Sequence, residues 1–382
     1  MSLQDIVAAS RAETGLTDMG EPEILEGLQV LLDSFIGEAR LRPTGVEAQR
    51  ASLIGFLANR LRINDTFKRH PEILREQIHG PIVIVGLPRS GTTKLQKAIA
   101  ATAEVQKLIL WRILNPVPHK PLVEGEIDPR ITYAEQVSAT MREYFPDFFA
   151  GHPMEAHEPD EEVFMAELVM RGWNSCYMAN TPSFEAWLNR QDFSTWYAFL
   201  RKLLQLYQWQ DGSLQSPWLI KAPEHMPHIA DLLREFPDAT IVHCHRDPAV
   251  SIASLAVLTV ASRQMYSDHT PPEESGRFII DHWAKQTREY MEQRLVLEQK
   301  HPFVDISYRE ISGDVVSAVE RIFSAAKLPL SAAARAGIQR WDANNPPHKQ
   351  GLHRYSLGAV GLDEGDVNRE FAEYIDQFGR WF

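Results

Sequence analysis

The chain has 382 residues, of which 44% are hydrophobic and 24% charged, so it can bury a substantial core without disulfides or a structural metal. This composition excludes an intrinsically disordered chain and a small cross-linked scaffold. The 39 basic and 51 acidic residues give a net charge of −12, and no basic run is long enough to follow a phosphate backbone, so we expect no nucleic-acid partner.

Residues 1 to about 80 are predicted to form a helical N-terminal cap packed on the rest of the chain, residues 81–382. Apolar residues there recur at spacings of three and four, which is typical of amphipathic helices. The two stripes are Leu25, Leu28, Leu32, Phe35 and Ala39, and Leu53, Ile54, Leu57 and Leu61.

Four short apolar runs rich in β-branched residues predict strands that are buried on both faces. They span residues 81–86, 218–221, 240–245 and 303–308. Stretches with helical spacing separate them, for example Trp196, Leu200, Leu203 and Tyr207. This alternation favours an α/β fold with a parallel sheet flanked by helices.

Aromatic residues are concentrated in one part of the chain, since fourteen of the 36 lie between Phe145 and Trp209. We predict an aromatic-rich helical insertion at about residues 130–210. Its aromatic side chains form either the core of that insertion or the wall of an apolar ligand pocket.

A predicted phosphate-binding loop, Gly-Leu-Pro-Arg-Ser-Gly-Thr-Thr-Lys, spans residues 86–94 between the first predicted strand and a helical stretch. Its glycines permit a turn whose N–H groups point inward, and the next helix adds its positive N-terminal end. Four side chains contribute hydrogen-bond donors: Arg89, Ser90, Thr92 and Thr93.

The loop departs from two better-known patterns. Thr92 stands where a Walker A loop has lysine, and no later predicted strand ends in an isolated carboxylate suited to magnesium, which weakens a nucleoside-triphosphatase interpretation. Ser90 lacks the glycine two residues before it that the nucleophile elbow of a serine hydrolase needs.

A second anion motif begins at the end of the third predicted strand. Asp247 is a good helix N-cap and Pro248 suits the first helical turn, which holds Arg246 at the strand tip. Ser251 and Ser254 share one face of that helix, so Arg246 and one or both hydroxyls are expected to bind one anion.

Three predicted strands carry a cation at the carboxyl end: Arg89, Lys221 and Arg246. Ligands of open α/β sheets bind beyond this edge, so we expect the three cations to converge on one polyanion. The net negative charge does not prevent this, because screening acts over about 8 Å in physiological salt.

The two anion motifs together resemble those of sulfotransferases that use 3′-phosphoadenosine 5′-phosphosulfate (PAPS), which read approximately P-[KR]-S-G-T-T and R-D-P-x-x-x-x-x-S. The resemblance covers residue 81 to the C-terminus and looks closest to the bacterial branch with a helical N-terminal extension. It implies a parallel sheet of the P-loop-like sulfotransferase type. It also implies transfer of a sulfuryl group from PAPS to a hydroxyl or amine of an acceptor, with adenosine 3′,5′-bisphosphate (PAP) as the spent donor.

The resemblance also implies roles for individual residues. The predicted contacts of the 5′-phosphosulfate are Arg89, Ser90, Gly91, Thr92, Thr93 and Lys94, and those of the 3′-phosphate are Arg246 and Ser254. Residues 349–355 resemble a basic-glycine segment that closes over the 3′-phosphate, which suggests Lys349 and Gly351 as contacts; a solvated tail is the alternative. Tyr308, placed on the fourth predicted strand, lies within the resemblance as well.

Sulfuryl transfer resembles phosphoryl transfer in having attacking and leaving oxygens roughly in line, so positioning and charge stabilisation supply most of the catalysis. Lys221 and Arg89 are the predicted catalytic cations that meet the charge on the leaving 5′-phosphate. Because the three cations Arg89, Lys221 and Arg246 can take the role that magnesium plays in kinases, we predict no metal requirement. His243 and His245 share a strand face, but no second pair of metal ligands is evident.

The acceptor must lose a proton, and a histidine with an ordinary pKa near 6.5 is able to accept it. His225, four residues after Lys221, and His157, within a histidine- and glutamate-rich segment, are the two candidate bases. A capping or surface role is the alternative for each. Some sulfotransferases have a glutamate base just after the loop helix, but the comparable stretch here offers Arg112.

Two other functions remain open: a kinase-like nucleotide phosphotransferase and a non-catalytic nucleotide-binding module. The aromatic content favours a small-molecule or lipid-like acceptor but does not choose among lipid, sterol and phenol. The chain has only two cysteines and no apparent leader, so we expect a cytoplasmic protein. No window of 18 uninterrupted apolar residues occurs, so we expect no membrane span. Oligomeric state cannot be deduced from the sequence.

Overall fold

The computed structural model of the chain describes residues 1–346, 349 and 354–382. Its N-terminal region is helical, as predicted, with α1 (Leu3–Thr14), α2 (Glu23–Gly37), α3 (Pro43–Arg69) and a 3₁₀ turn (Pro71–Arg75). Most members of the two predicted apolar stripes are buried, including Leu28 and Phe35 on α2 and Leu57 on α3. The stripes therefore mark the faces on which these helices pack.

A five-stranded parallel sheet lies at the centre of the described fold, with strand order β2-β3-β1-β4-β5. The strands are β1 (Ile82–Val85), β2 (Gln106–Lys107), β3 (Trp218–Lys221), β4 (Thr240–His245) and β5 (Phe303–Ser307). Four of them confirm the predicted apolar runs. The short strand β2 is absent from the sequence prediction, because Gln-Lys carries no apolar pattern.

Helices cover both faces of the sheet and form its connections. Before β3 these are α4 (Thr92–Ala100), α5 (Leu110–Leu114), α6 (Pro129–Tyr144), α7 (Pro146–Gly151), α8 (Val163–Ala166), α9 (Asn174–Met178), α10 (Pro182–Leu188) and α11 (Ser194–Gln210). After β3 they are α12 (Ile229–Glu235), α13 (Pro248–Gln264), α14 (Pro272–Leu297), α15 (Tyr308–Gly313), α16 (Val315–Ala325), α17 (Ala332–Asn344), α18 (Glu364–Glu370) and α19 (Ala372–Phe378). The remaining 3₁₀ turns are Glu167–Val169, Pro223–His228, Gly358–Val360 and Gly379–Trp381.

Tyr308 is predicted within the last strand, but the structure corrects this placement. Tyr308 is the first residue of α15, because Ser307 and Glu310 form a capping box that starts the helix there. The side chain of Tyr308 therefore follows the tip of β5 instead of continuing its pleat.

Two apolar clusters cover the two faces of the sheet. Ile84, Val242 and Ile306 pack with residues of α4 and α16 on one face. On the other, Ile220 and Ile241 belong to a larger cluster that also contains residues of α2, α3, α11, α12 and α14. The N-terminal helices thus share the core of the α/β region, and the boundary at residue 80 stays a prediction.

The N-terminal helices pack against the helices that lie between β2 and β3. A Cβ at Gly27 would lie 2.7 Å from the Trp187 ring, so α2 and α10 approach closely. On α3, Asn59 Nδ2 donates to the Leu114 carbonyl oxygen at 2.8 Å. The aromatic-rich segment is helical as expected, and its status as an insertion stays a prediction. None of the helices in the described part of the chain combines the length and apolarity needed to cross a bilayer.

Candidate active site

The predicted phosphate loop follows β1 and turns directly into α4. Gly86, Arg89 and Gly91 have positive φ values of 146°, 71° and 92°. A Cβ at Gly86 would lie 2.4 Å from the Cys244 carbonyl oxygen, so the loop needs glycine at this position. No described side chain caps the N-terminus of α4, which leaves its first N–H groups available to an anion.

The loop and the Arg246 motif are in direct contact, although 157 positions separate them in the chain. Arg246 Nη1 donates to the Arg89 carbonyl oxygen at 2.7 Å, and Arg89 Nε donates to Ser254 Oγ at 3.1 Å. The Arg246 guanidinium lies 4.0 Å from the centre of the Tyr308 ring. Asp247 caps α13 as predicted, accepting from the Ala249 N–H at 2.8 Å. The fold therefore brings both predicted anion motifs to one place.

Lys221, the third predicted strand-end cation, lies beside the loop. Its side chain is 1% exposed, with Nζ 3.4 Å from Thr93 Oγ1 and paired with the Glu161 carboxylate. Its backbone N–H donates to Glu162 Oε2 at 3.0 Å. All three cations thus surround the same turn of chain, as the parallel sheet requires.

A cavity of about 520 Å³ opens at this edge of the sheet. We call one set of its lining residues the loop wall: Arg89, Gly91, Thr92, Thr93, Arg246, Ser254 and Tyr308. We call a second, apolar set of its lining residues the apolar wall: Phe148, Phe164, Met178, Leu255 and Leu258. Helix α13 contributes to both, because Leu258 follows Ser254 by one turn.

Burial of the Arg89 guanidinium and the nearby charge of Arg246 lower the pKa of Arg89. Arg89 nevertheless remains a cation, since arginine does not lose its proton in proteins. Its Nη1 also donates to the Gly151 carbonyl oxygen at 2.5 Å, at the end of α7. Arg89 therefore links the loop to the α7 side of the cavity.

Acidic residues cluster beside Lys221. Glu161 and Glu224 both line the cavity, and Glu161 is 14% exposed. Burial and the neighbouring Glu161 raise the pKa of Glu224 to about 8. Burial alone would raise the pKa of Asp160, but His152 and Lys221 outweigh it and lower that pKa. The pKa of Asp160 is therefore lowered and that of Glu224 raised within one acidic cluster.

The two histidines proposed from the sequence as bases do not line the cavity. His225 is buried, with Nε2 2.6 Å from Glu162 Oε1 and Nδ1 3.1 Å from the Tyr197 hydroxyl. His157 is exposed and lies 2.9 Å from Glu135 Oε1, over a polar groove beside the cavity. Their role as bases stays a prediction, and the geometry offers other candidates.

The other predicted contacts occupy different positions. Lys94 and Lys349 line the cavity, Lys94 paired with Asp342 at 2.8 Å and Lys349 donating to Asn345 Oδ1 at 3.0 Å. The Ser90 hydroxyl is buried and has no partner among the described residues. Gly351 lies outside the described residues.

Sequence analysis does not single out Glu161, Glu162, Glu224 or His152. His152 and Glu161 both line the cavity, and His152 Nε2 is 3.5 Å from Asp160 Oδ1. The available signal is the run Asp-Glu-Glu at residues 160–162, three consecutive acids in an otherwise aromatic-rich stretch. Burying such a run requires partners, and two of the three acids meet Lys221 and His225.

The histidine pair on β4 lies away from the cavity. One ligand atom each of His243, His245 and Asp305 lie within 4.8 Å of one another, as in a metal site. However, Arg294 Nη1 donates to His243 Nδ1 at 2.8 Å and to Asp305 Oδ1 at 2.7 Å. A guanidinium therefore occupies the position that a cation would take.

Several known proteins resemble this chain in sequence and in fold. A family model described as the sulfotransferase family matches residues 81–332. Two proteins named omega-hydroxy-beta-dihydromenaquinone-9 sulfotransferase Stf3, from Mycobacterium bovis and Mycobacterium tuberculosis, are 21% identical over 310 residues, which is 78% of this chain and 75% of each relative. The crystal structure of sulfotransferase STF1 from M. tuberculosis H37Rv gives a TM-score of 0.85 at 28% identity, over 98% of this chain and 99% of that one. Sulfotransferase STF9 from Mycobacterium avium gives a TM-score of 0.85 at 25% identity, over 98% and 96%.

Proposed function

The chain belongs to the sulfotransferase family, and we propose that it transfers a sulfuryl group from PAPS to a hydroxyl or amine of an apolar acceptor. The contact of Arg246 with the Arg89 carbonyl oxygen, together with that of Arg89 with Ser254, carries this proposal. These contacts join two anion motifs that are 157 positions apart in the chain. A nucleotide with phosphates at both ribose positions matches such a pair of motifs.

The donor-binding residues fall into two groups in this proposal. The 5′-phosphosulfate contacts the loop through Arg89, Ser90, Gly91, Thr92, Thr93 and Lys94. The 3′-phosphate contacts Arg246 and Ser254, and Lys349 approaches it from the segment after α17. The contact predicted for Gly351 lies outside the described residues. The fit is supported by the uncapped N-terminus of α4 and by the buried hydroxyl of Ser90, which has no described partner.

Lys221 and Arg89 stabilise the negative charge that develops on the leaving phosphate oxygen. Lys221 Nζ already lies 3.4 Å from Thr93 Oγ1 and is nearly inaccessible to water, so its charge acts at short range in a medium of low polarity. With these cations in place, the displacement proceeds without a metal ion. Removal of one such donor typically reduces the rate by about 10² to 10³.

Glu161 is the base that the geometry favours. Its carboxylate lines the cavity and pairs with Lys221, while Phe164, three residues later, belongs to the apolar wall. It therefore links Lys221, beside the phosphate loop, with the chain segment that carries Phe164 of the apolar wall. When the anionic donor binds, it competes with Glu161 for Lys221. This competition frees the Glu161 carboxylate to accept the proton of the attacking hydroxyl.

The apolar wall is the proposed acceptor site. Phe148, Met178 and Leu258 belong to a small apolar cluster beside the main core, and Phe164 packs against both. Ligand sites of this kind bury most of an apolar molecule and fix it with a few polar groups. The Stf3 relatives are named for a menaquinone-derived acceptor with a terminal hydroxyl, and a lipid-like alcohol suits the wall described here.

The test is transfer of radiolabelled sulfate from PAPS to a panel of alcohols, phenols and amines, with PAP binding measured by calorimetry. We expect labelled products from apolar alcohols, and the same rate with and without a chelator. Loss of activity in the chelator would support the kinase-like alternative. PAP binding without transfer to any acceptor would support the non-catalytic module.

A further inference from the structure

A closed circuit of buried hydrogen bonds lies under the tips of β4 and β5, outside the cavity. It contains Arg294 of α14, His243 and His245 of β4, Asp305 of β5 and Tyr374 of α19. We call these five side chains the polar ring. None of the five lines the cavity, and the roles proposed above do not involve any of them.

The contacts of the polar ring run from one member to the next and return to the start. Arg294 Nη1 is 2.8 Å from His243 Nδ1, and His243 Nε2 is 3.5 Å from the Tyr374 hydroxyl. That hydroxyl is 3.0 Å from His245 Nδ1, and His245 Nε2 is 2.7 Å from Asp305 Oδ1. Asp305 then accepts two hydrogen bonds from Arg294, at 2.7 and 2.8 Å.

Only one arrangement of protons satisfies this circuit. Arginine donates only, so His243 Nδ1 accepts and His243 carries its proton on Nε2. The Tyr374 oxygen accepts a hydrogen bond from His243 Nε2–H, and the Tyr374 hydroxyl donates one to His245 Nδ1. His245 therefore carries its proton on Nε2 and donates it in a hydrogen bond to Asp305. Burial lowers the pKa of both histidines and keeps them neutral. Burial alone would raise the pKa of Asp305, but hydrogen bonds from His245 and Arg294 hold it well below its usual range.

The polar ring connects the two strands that deliver the Arg246 contact. His243 pairs with Asp305 and His245 with Ser307 in the parallel register of β4 and β5. The next residue on each strand is a member of the loop wall, Arg246 after β4 and Tyr308 after β5. Because the Arg246 guanidinium rests on the Tyr308 ring, the relative position of the two strand tips determines where Arg246 points.

We propose that Tyr374 is a positioning residue for the nucleotide donor: by closing the polar ring it fixes the tips of β4 and β5 and so aims Arg246 at the 3′-phosphate. The C-terminal helix α19 thereby takes part in donor recognition without touching the donor. This inference rests on the proposed function, in which Arg246 binds that phosphate.

The experiment compares Tyr374→Phe with the wild-type full-length protein. The variant loses one hydroxyl but keeps the ring that packs against Phe378 and Phe382. Dissociation constants are measured by calorimetry for PAP and for adenosine 5′-monophosphate, which lacks the 3′-phosphate. We expect PAP affinity to fall roughly 3- to 10-fold, the effect of one lost hydrogen bond, and the affinity for the monophosphate to stay within twofold.

Tyr207→Phe is the matched control. The Tyr207 hydroxyl is also buried and donates a hydrogen bond to the Arg112 carbonyl oxygen at 3.0 Å, but Tyr207 is not a member of the polar ring. It should leave both affinities within twofold of wild type. If Tyr374→Phe does not fold, His245→Gln is measured in its place with the same expectation.

Unchanged PAP affinity in Tyr374→Phe would overturn the inference, and so would equal losses for both nucleotides, since that pattern indicates a general loss of packing. A wild-type protein that binds PAP no better than adenosine 5′-monophosphate would instead contradict the proposed role of Arg246 itself. The two failures are therefore distinguishable.

Discussion

The two walls of the cavity are built in different ways. The loop wall is built largely from residues that follow the ends of parallel strands, and four of its seven members lie within residues 89–93. The apolar wall takes side chains from α7, α8, α9 and α13, which are spread from Phe148 to Leu258. Backbone geometry thus sets the position of the charged groups, whereas helix packing sets the position of the apolar ones.

This difference in construction predicts a difference in energy. A substitution on the loop wall removes a charge or a proton acceptor from a poorly solvated site, which typically costs several kcal/mol. A substitution on the apolar wall changes the buried area, at about 0.8 kcal/mol for each methylene group. Loop-wall variants should therefore affect catalysis or donor affinity strongly, and apolar-wall variants should affect acceptor selectivity moderately.

Glu161→Gln is expected to have the largest effect, because Glu161 is the proposed base and lines the cavity beside Lys221. The amide cannot accept the acceptor proton as a carboxylate does, and kcat should fall by about 10² to 10⁴. PAP affinity should be retained or increased, since Lys221 loses a competing anion. Steady-state kinetics and calorimetry measure the two quantities. His152→Gln is the comparison variant, and a larger loss of kcat there than in Glu161→Gln would assign the base to His152.

Arg246→Ala tests the loop wall at the proposed 3′-phosphate site. Removal of the guanidinium leaves that phosphate unpaired and should weaken PAP binding by about 2 to 5 kcal/mol. Affinity for adenosine 5′-monophosphate should change little. Arg142→Ala is the control, because Arg142 is half exposed and pairs with Glu155 away from the loop. Equal affinities for PAP in Arg246→Ala and wild type would remove the basis for the proposed donor.

Lys221→Met separates donor binding from catalysis at the buried cation beside the loop wall. The methionine keeps the length of the side chain but not the charge, so kcat should fall by about 10² to 10³ while donor affinity changes less. Lys107→Met is the control, since Lys107 is a partly buried lysine whose Nζ donates to the Ala100 carbonyl oxygen. Equal losses in kcat and donor affinity would argue against a role specific to the transition state.

The loop wall could be predicted from the sequence because its signals are local. A buried strand, a glycine loop and a helix follow one another in residues 82–100, and Arg246 with Asp247 and Pro248 marks a second strand tip. In a parallel sheet these tips must meet at one edge. The same reasoning placed four of the five strands, and it failed for β2, whose two residues carry no periodic pattern.

The proposed base and the individual side chains of the apolar wall do not follow from local signals of this kind. The spacing after Lys221 predicts His225 as a candidate base. In the structure, the turn Pro223–His228 directs that side chain to Glu162 and Tyr197 instead of the cavity. Which acids of the run 160–162 face the cavity depends on how that segment packs across the sheet edge. These orientations are tertiary, so no short sequence window contains them.

Leu258→Asn tests the apolar wall without altering a charge. The asparagine brings an amide into the apolar cluster, so kcat/KM for a long-chain alcohol should fall by about 10- to 200-fold. This loss corresponds to about 1 to 3 kcal/mol of transition-state stabilisation. PAP affinity and the rate with a short alcohol should change much less. Leu295→Asn supplies the matched control, because Leu295 is 62% exposed on α14. A uniform loss across short and long alcohols would show that Leu258 does not contact the acceptor chain.

Substitution of Glu167 is expected to have the smallest effect of the five. It tests the apolar wall alone, because Glu167 holds the start of a helix that contributes to that wall. It is fully buried and accepts the Ser175 N–H at 3.2 Å, at the start of α9, which carries Met178. Burial raises the pKa of Glu167 to about 7. Since this is above the value near 4.5 in the unfolded chain, its stabilising contribution is complete below about pH 4.5 and is lost as the pH rises through about 7.

The apolar wall should therefore loosen across neutral pH while the loop wall does not. Between about pH 5.5 and 8.5, the Tm of the wild-type protein should fall more than that of Glu167→Gln, which cannot ionise. In the wild type only, KM for a long-chain alcohol should rise over the same pH range, by up to about threefold. The pH dependence of PAP affinity should be the same in the wild type and in Glu167→Gln. Parallel Tm profiles would show that Glu167 does not couple pH to α9, and a divergence in PAP affinity would show that the two walls are not independent.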